Sequence, residues 1–442
     1  MSSFPQTTVP SHPATPMDTT DTPDTHPLHP PTNTPFPHAN PSPFESSRVG
    51  SIVNSWGTFS NFHDSPPDGL IIRHILAVGG ASPHPVLYLL IQFLAETRGG
   101  GDPDGFYGGG AFLAAALTPT TTHPLYPNTP VYYEADANTR FVVKKSSHKM
   151  VNKLLKENTL ENPVNEVKAS QFLQGGSFGT AVRGTAVQDA ALSGSDLICP
   201  SLHLFFQESN PAFMYNVMPC RGSELFYLLT TSVYQYKEKH CVFLWRQIMS
   251  AVEYMHSQNV CHRDISLENI LYDGRNITVI DLGQATMGRK SLAANGAERM
   301  YVKAAWCGKR FYLAPEVYSK EHCVRSNAGG EFVYCGLGVD LWQCVVCLYT
   351  LAVGIYPYGS GAEEPCPDER LSGEFYLCAN DGIERLIRHH HMHRLGFKMV
   401  SRGAIDLMQR MMKVQLKDRL SLQQVLQHEW ITNSECERPG YT

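Results

Sequence analysis

Apolar positions along the chain follow one period in its middle part and another in its second half. From about residue 106 the alternation is typical of strands, and from about Cys220 it becomes mainly helical. Residues 243–256 place apolar side chains at positions i, i+3, i+4 and i+7, which predicts a helix with one buried face. We therefore predict an α+β protein with a mainly β small lobe over 105–219 and a mainly α large lobe over 220–432. A short tail follows over 433–442.

The region before residue 105 lacks both patterns. Residues 1–45 are rich in Pro, Thr, Ser and His and nearly free of aliphatic side chains, so they cannot bury enough apolar surface to offset chain entropy. We predict that they form a disordered tail. Residues 46–104 mix apolar runs with glycine clusters and receive no assignment. Their most apolar stretch, 85–95, is too short to span a bilayer, and we predict a buried helix there.

Composition narrows the class of protein. Of the 442 residues, 42% are hydrophobic and 17% are charged, which is typical of a globular protein. The net charge of -5 argues against nucleic acid or an anionic membrane as the main partner. The twelve cysteines show no repeating spacing, which indicates reduced core residues. No secretory signal is visible, so we expect a cytoplasmic protein, with the nucleus as the alternative.

The most informative stretch is a short polar loop over 261–271. It contains the pattern H-R-D-x-x-x-x-N from His262 to Asn269, followed by apolar residues that would continue as a strand. Phosphoryl transfer needs a carboxylate beside the attacking hydroxyl and an amide oxygen on a metal ion. Asp264 and Asn269 supply both kinds of group from one loop.

Further motifs follow at telling positions. The tripeptide Asp281-Leu282-Gly283 ends a strand-like run ten residues past the loop, and an Ala-Pro-Glu sequence stands at 314–316. Asp-Leu-Trp occupies 340–342, Arg-Leu-Ser 419–421 and His-Glu-Trp 428–430. Together with the loop, these motifs resemble those of the eukaryotic protein kinase superfamily, with Leu in place of the usual Phe of the D-F-G element.

This resemblance implies a fold, a reaction and a set of roles. The fold would be the two-lobed kinase fold, and the reaction would transfer the γ-phosphate of ATP to a hydroxyl of a protein substrate. Asp264 would act as the base, and Asn269 and Asp281 would hold Mg²⁺. Glu268 beside Asn269 favours serine or threonine over tyrosine as the acceptor. Neither nucleic acid nor a membrane is an expected partner.

Residues 284–306 would form the activation segment. Thr286, Ser291 and Tyr301 are candidate phosphorylation sites within it. Arg263, next to the catalytic aspartate, is the usual cation for such a phosphate in the family, through charge-assisted hydrogen bonds.

The small lobe admits two registers. Residues 174–181 look like a glycine-rich phosphate loop, but Gln174 stands in place of its first glycine. No lysine occurs between Lys168 and Lys237 to bind the phosphates. On this register the chain would lack a required cation and would be a pseudokinase, a nucleotide-binding or allosteric scaffold.

The upstream register fits better. Residues 139–145 read as the strand that carries the phosphate-binding Lys144. Residues 161–173 read as the following helix, with Pro near its start and Glu166 as the partner of that lysine. Lys145 is the alternative to Lys144. The Glu-Asn-Pro run at 161–163 resembles a divergent group of kinases from microbial eukaryotes.

On the upstream register the phosphate loop must precede residue 139. The glycine cluster at 108–110 is the best candidate, with Gly108 and Gly110 near the phosphates, and a flexible linker is the alternative. Residues 174–195 then become an insertion after the helix.

Two strands would lead from there to the hinge between the lobes. Met218 would stand at the back of the adenine pocket, and Cys220 would offer its backbone to adenine. Glu224 would bind the ribose, or alternatively serve as a helix N-terminal carboxylate.

Two residues differ from the family pattern, whereas one ion pair of the family is expected to be present. Ser266 stands where most serine/threonine kinases have a lysine that contacts the γ-phosphate. Lys309 stands where a threonine usually braces the catalytic aspartate. The resemblance also implies a buried ion pair between Glu316 and Arg419.

Overall fold

The computed structural model describes the chain in stretches from residue 57 to residue 439. The described residues are 57–61, 70–74, 87–97, 109–119, 132–134, 139–156, 163–175, 193–207, 213–231, 237–288, 290–293, 296–318, 323–325, 332–358, 382–392 and 400–439. All of them belong to one unit, residues 38–442. The predicted tail over 1–45, Gly108 and most of the predicted insertion over 174–195 lie outside the described residues.

An antiparallel sheet of eight strands forms the small lobe. Its order is β1-β2-β3-β4-β6-β8-β7, with β5 paired to β4. The strands are β1 Gly57–Asn61, β2 Leu70–His74, β3 Leu87–Thr97, β4 Gly109–Pro119, β5 Tyr132–Glu134, β6 Phe141–Ser147, β7 His203–Gln207 and β8 Phe213–Pro219. Buried apolar side chains of β4, β6 and β8, such as Phe141, Val143 and Val217, pack into a small core on one face of this sheet.

Residues 85–95 do not form the predicted helix. From Leu87 onward the stretch belongs to strand β3, which pairs antiparallel with β2 on one edge and with β4 on the other. An apolar run of this length fits a buried helix or a central strand equally well, and only the partner strands decide between them. The helix prediction is wrong, and the unassigned region contributes strands β1 to β3 to the small-lobe sheet.

Two helices accompany this sheet, α1 (His148–Lys156) and α2 (Pro163–Leu173). Proline at the first position of α2 loses no hydrogen bond, because the first amides of a helix have no intrahelical acceptor. Helix α2 buries Val164, Glu166 and Val167 among other residues. A buried glutamate needs a charged or hydrogen-bonding partner. The partner of Glu166 lies in the cleft beside the sheet.

The large lobe is mainly helical, as predicted. Its helices are α3 Leu225–Thr230, α4 Glu238–Ser257, α5 Pro315–Tyr318, α6 Gly336–Val353, α7 Ile383–Met392, α8 Arg402–Met411, α9 Leu422–Leu426 and α10 Glu429–Asn433. Helix α6 is the centre of the lobe, since every residue from Gly336 to Ala352 is buried. It is the one helix among the described residues with the length and hydropathy of a membrane span, but 94% of that window is buried in the protein, as in a core helix.

Short strands complete the large lobe. They are β9 Ser223–Glu224, β10 Val260–Cys261, β11 Ile270–Tyr272, β12 Ile277–Val279, β13 Thr286–Met287, β14 Lys290–Leu292, β15 Glu298–Lys303, β16 Val324–Arg325 and β17 Phe332–Cys335. They form three small sheets, β10-β13, β12-β11-β9 and β14-β15-β17-β16. The predicted two-lobed α+β architecture is confirmed.

Candidate active site

A cavity of about 880 Å³ lies between the sheet and the helical lobe. Eight of the ten residues predicted for the site line it, so residues far apart in sequence meet in one place. These are Lys144, Glu166, Met218, Cys220, Glu224, Asp264, Asn269 and Asp281. The cavity is therefore the candidate active site.

The small lobe contributes an ion pair to this cavity. Lys144 Nζ lies 2.6 Å from Glu166 Oε1 and 3.9 Å from Asp281 Oδ1. Burial lowers the pKa of Lys144, but the carboxylates of Glu166 and Asp281 outweigh it, and the net shift is upward. The charge of Lys144 in turn lowers the pKa of Asp281. Lys144 and Asp281 are thus held in their charged forms.

The choice between Lys144 and Lys145 follows from the pleat of β6. Successive side chains of a strand point to opposite faces, and Val142, Lys144 and Ser146 line the cavity. Lys145 lies on the other face, where burial lowers its pKa. The pairing with Glu166 therefore belongs to Lys144, as the upstream register predicts.

Asp340 of α6 holds the predicted catalytic loop over 261–271 in place. Its carboxylate accepts hydrogen bonds from the backbone N–H of His262 (3.0 Å) and of Arg263 (2.7 Å), and it contacts His256 Nε2 at 2.8 Å. Arg263 has a left-handed backbone, with φ of 67°, which is unusual for a residue with a side chain. These bonds stabilise the strained turn that presents Asp264 to the cavity.

Three groups surround the Asp264 carboxylate. Asn269 Nδ2 donates to Oδ2 at 2.9 Å, the Lys309 N–H donates to Oδ1 at 3.0 Å, and Lys309 Nζ lies 3.3 Å from Oδ2. Burial raises the pKa of Asp264, and the interaction with Lys309 is the main one that opposes that shift. Asp264 is therefore an oriented carboxylate of increased basicity.

Asn269 and Asp281 offer oxygen atoms suited to a hard cation. Asn269 Nδ2 donates to Asp264, so the amide oxygen is the atom left for a ligand. Asp281 has a left-handed backbone, with φ of 64°, at the end of the run that includes β12. An amide oxygen and a carboxylate are the ligand types that Mg²⁺ prefers. The donor set fits the metal that the sequence predicts.

Asn165 is a positioning residue that the sequence analysis missed. Its Nδ2 donates to the carbonyl oxygens of Gly283 at 2.9 Å and Ala285 at 2.7 Å, just after Asp281. It therefore couples helix α2 to the turn that carries Asp281. The only signal in the sequence was a polar residue next to Glu166, which does not reveal a partner more than 100 positions away.

The predicted hinge is only partly as expected. Met218 is buried and lines the cavity, and Glu224 is exposed at the N-cap of α3 without a side-chain hydrogen bond to the helix. The backbone N–H of Cys220, however, donates to the carbonyl of Arg140 at 3.0 Å and extends the sheet by one pair. The amide of Cys220 is therefore not available to adenine, although Cys220 and the neighbouring Arg221 both line the cavity.

Gly110 does not lie in a loop. It belongs to strand β4, opposite Glu96 of β3 and Lys145 of β6. Gly110 itself is therefore a strand residue, paired on both sides. The role of Gly108 and Gly110 near the phosphates stays a prediction. The connection before strand β4, residues 98–108, contains five glycines in the sequence and includes Gly108; it lies outside the described residues.

The ion pair implied for the large lobe is present. Arg419 Nη1 and Nη2 donate to the two oxygens of Glu316 at 2.9 and 3.1 Å. Arg419 also donates to the carbonyl of Gly338, at the start of α6. The pair connects the short helix α5, which contains Glu316, to the central helix α6.

Comparison with known proteins supports the same interpretation. A protein kinase domain model matches residues 191–431, more than half of the chain. Relatives include the probable serine/threonine-protein kinase KIN1 homolog of Encephalitozoon cuniculi, 26% identical over 219 residues, or 49% of this chain and 32% of that protein. Serine/threonine-protein kinase PLK4 of Drosophila willistoni is 26% identical over 244 residues, or 54% of this chain and 26% of that protein.

The extent of these matches has two consequences. The chain spans about a quarter to a third of the length of these two relatives. The family match begins at residue 191, so Lys144 and Glu166 are placed by the structure and lie outside the matched range. With the matched range, the two-lobed fold and the cleft taken together, the chain belongs to the protein kinase family, and its named relatives are of the serine/threonine type.

Proposed function

We propose that this chain is an active protein serine/threonine kinase. The observation that carries the proposal is the meeting of Lys144, Glu166, Asp264, Asn269 and Asp281 in one cleft. A paired lysine on the sheet, two oxygen ligands and a buried carboxylate are the groups that phosphoryl transfer from ATP requires. They come from four separate parts of the chain.

Each group has a role in the proposed reaction. Lys144, oriented by Glu166, binds phosphate oxygens of the substrate ATP. Asn269 and Asp281 hold Mg²⁺, which neutralises charge on the phosphates. Asp264 accepts the proton of the attacking hydroxyl, whose oxygen bonds to the γ-phosphorus as the bond from phosphorus to the ADP oxygen breaks. Catalysis then rests on positioning and electrostatic stabilisation.

The alternative, a pseudokinase scaffold, makes a different prediction. It would bind nucleotide without transferring phosphate. The sequence feature that favours the scaffold is a candidate phosphate loop at 174–181 with no lysine on the strand that would follow it. The ion pair between Lys144 and Glu166 supplies that lysine from upstream. This observation favours the enzyme over the scaffold.

The experiment is a transfer assay on the purified full chain with Mg²⁺, radiolabelled ATP and mixed protein acceptors, followed by phosphoamino acid analysis. We expect label on serine or threonine. Asp281→Ala should abolish transfer, and Asp264→Asn should lower the rate by about 10²–10⁴-fold, the usual contribution of a positioned base. Nucleotide binding without any transfer by the wild-type chain would support the scaffold instead.

A further inference from the structure

Lys309, which follows the predicted activation segment, contacts Asp264, the proposed base. Lys309 Nζ lies 2.9 Å from Ser266 Oγ and 3.3 Å from Asp264 Oδ2, and the Lys309 backbone N–H holds the other oxygen of Asp264. Its side chain is only 18% exposed and lines the cavity. The ammonium group therefore stands beside the atom that receives the substrate proton.

The backbone next to Lys309 leaves it little freedom. Gly308 has φ of 88°, and a Cβ at that position would lie 2.8 Å from the carbonyl oxygen of Arg263 and 2.7 Å from Gln343 Nε2. Gln343 itself donates to that carbonyl and accepts from the N–H of Ile265. Only glycine fits at position 308 without a clash. Its close packing places the backbone of residue 309 next to the loop that carries Asp264.

Among the cationic side chains that line the cavity, Lys309 has a distinct position. The described residues that line the cavity include three cationic side chains, Lys144, Arg221 and Lys309. Lys144 is engaged by Glu166 and faces Asp281. Lys309 is the one of the three in contact with Asp264, where the acceptor hydroxyl and the transferred phosphoryl group must meet. A phosphoryl group in transfer carries charge on three oxygens and needs cations on more than one side.

The two departures from the family pattern, Ser266 and Lys309, are complementary. The resemblance implies an ammonium group at position 266 and a hydroxyl group at position 309, whereas this chain has the hydroxyl at Ser266 and the ammonium at Lys309. The two side chains still meet at 2.9 Å, so the pair is retained with its members exchanged. We propose that Lys309 is a catalytic residue that contacts the transferred phosphoryl group in place of the lysine missing at position 266.

This inference rests on the proposed kinase activity and adds no new proton transfer. The substrate oxygen bonds to phosphorus, the bond from phosphorus to the ADP oxygen breaks, and the substrate proton goes to Asp264. The side-chain nitrogen of Lys309 contacts a non-bridging oxygen throughout and takes no proton from the substrate. It also lies within reach of the Asp264 carboxylate and so holds base and phosphoryl group together.

The test exchanges the two side chains back. Lys309→Thr should lower kcat by about 10²-fold, the usual loss when one preorganised charge or donor is removed from a developing anion, with a smaller change in KM for ATP. The double variant Ser266→Lys/Lys309→Thr should recover most of that loss. Lys303→Thr is the control, because it removes an exposed lysine on the nearby strand β15 that does not line the cavity, and it should keep wild-type kcat.

Melting temperatures separate chemistry from folding. If Lys309→Thr does not fold, Lys309→Gln, which preserves side-chain length and polarity, should fold and show the same loss of kcat. An active wild-type enzyme whose kcat survives both substitutions would overturn this inference and leave the proposed function intact. A folded wild-type chain that transfers no phosphate would overturn the proposed function, and this inference with it.

Discussion

The Asp264 carboxyl shows how neighbours set the chemistry of one residue. Burial raises its pKa, Asp281 acts in the same direction, and Lys309 and His262 oppose both. Because the carboxylate is the active form, activity should increase with pH as Asp264 loses its proton. The acid limb of kcat/KM should therefore lie above the pH at which an ordinary aspartate titrates.

Replacing Lys309 changes this balance in a known direction. Lys309→Gln removes a charge that stabilises the carboxylate, so the pKa of Asp264 should rise and the acid limb should move to higher pH. A pH–rate profile of the two proteins measures the shift, with Lys303→Thr as the control. Superimposable acid limbs, or a shift to lower pH, would show that Lys309 does not act on Asp264.

The ion pair between Glu316 and Arg419 should contribute to the stability of the large lobe. Their side chains are 5% and 1% exposed, and the guanidinium also lies 5.0 Å from the ring centroid of Trp342. Arg419→Ala would leave Glu316 buried without its cation, which should reduce the free energy of unfolding by roughly 3–5 kcal/mol. Denaturant unfolding of the isolated variant measures this.

An exposed pair supplies the control for that experiment. Arg388 and Glu384 form an i, i+4 contact on α7 with side chains 76% and 58% exposed. Arg388→Ala should change stability little, because exposed pairs contribute little in water. Equal effects of the two alanine substitutions would mean that burial of the Glu316 pair has no energetic consequence.

At the scale of elements, the predicted activation segment takes part in a sheet. Strand β15, which contains the candidate phosphorylation site Tyr301, pairs with β14 over its first three residues and with β17 over its last three. Arg263, the expected phosphate ligand, is buried, and its Nε and Nη2 donate to the carbonyl of Gln284 at 2.9 and 2.6 Å. The cation already has an acceptor, and the segment has hydrogen-bond partners of its own.

These contacts predict activity without phosphorylation of the segment. Phosphatase-treated protein should keep most of its transfer activity, and so should the variant Thr286→Ala/Ser291→Ala/Tyr301→Phe. The measurement is the initial rate before and after treatment, with mass spectrometry to show that the phosphate is gone. A large loss that rephosphorylation restores would place a phosphate switch in this segment.

The elements also show which features the sequence could predict. Helix α2 could be predicted because Pro163 marks its start, and the catalytic loop because its motif is local. Strand β3 could not be predicted, because its apolar run fits a helix as well as a strand. The strands that pair with it, β2 and β4, lie beside it only in the folded protein. For the same reason, the extra ladder bond of Cys220 to Arg140 and the strand position of Gly110 could not be anticipated.

At the scale of the whole molecule, the site exists only where the two lobes meet. Lys144 and Glu166 come from the small lobe and Asp264, Asn269 and Asp281 from the large lobe. Sequence motifs predicted the large-lobe members one by one. They could not reveal the link from Asn165 to the Asp281 turn or the reach of Lys309 to Asp264, because those contacts join segments separated by 118 and 45 positions.

The matched pair Lys144→Met and Lys145→Met tests the central claim most directly. Both substitutions remove one positive charge from adjacent positions of β6, and methionine fits either partly buried site. Only Lys144 lines the cavity with Glu166 and Asp281. The measurement is phosphate transfer from ATP by the folded wild-type chain and both variants. We predict a loss of about 10²-fold or more for Lys144→Met and near wild-type transfer for Lys145→Met. Full activity in Lys144→Met, or a folded wild-type chain without activity, would contradict the assignment of this cleft as a kinase active site.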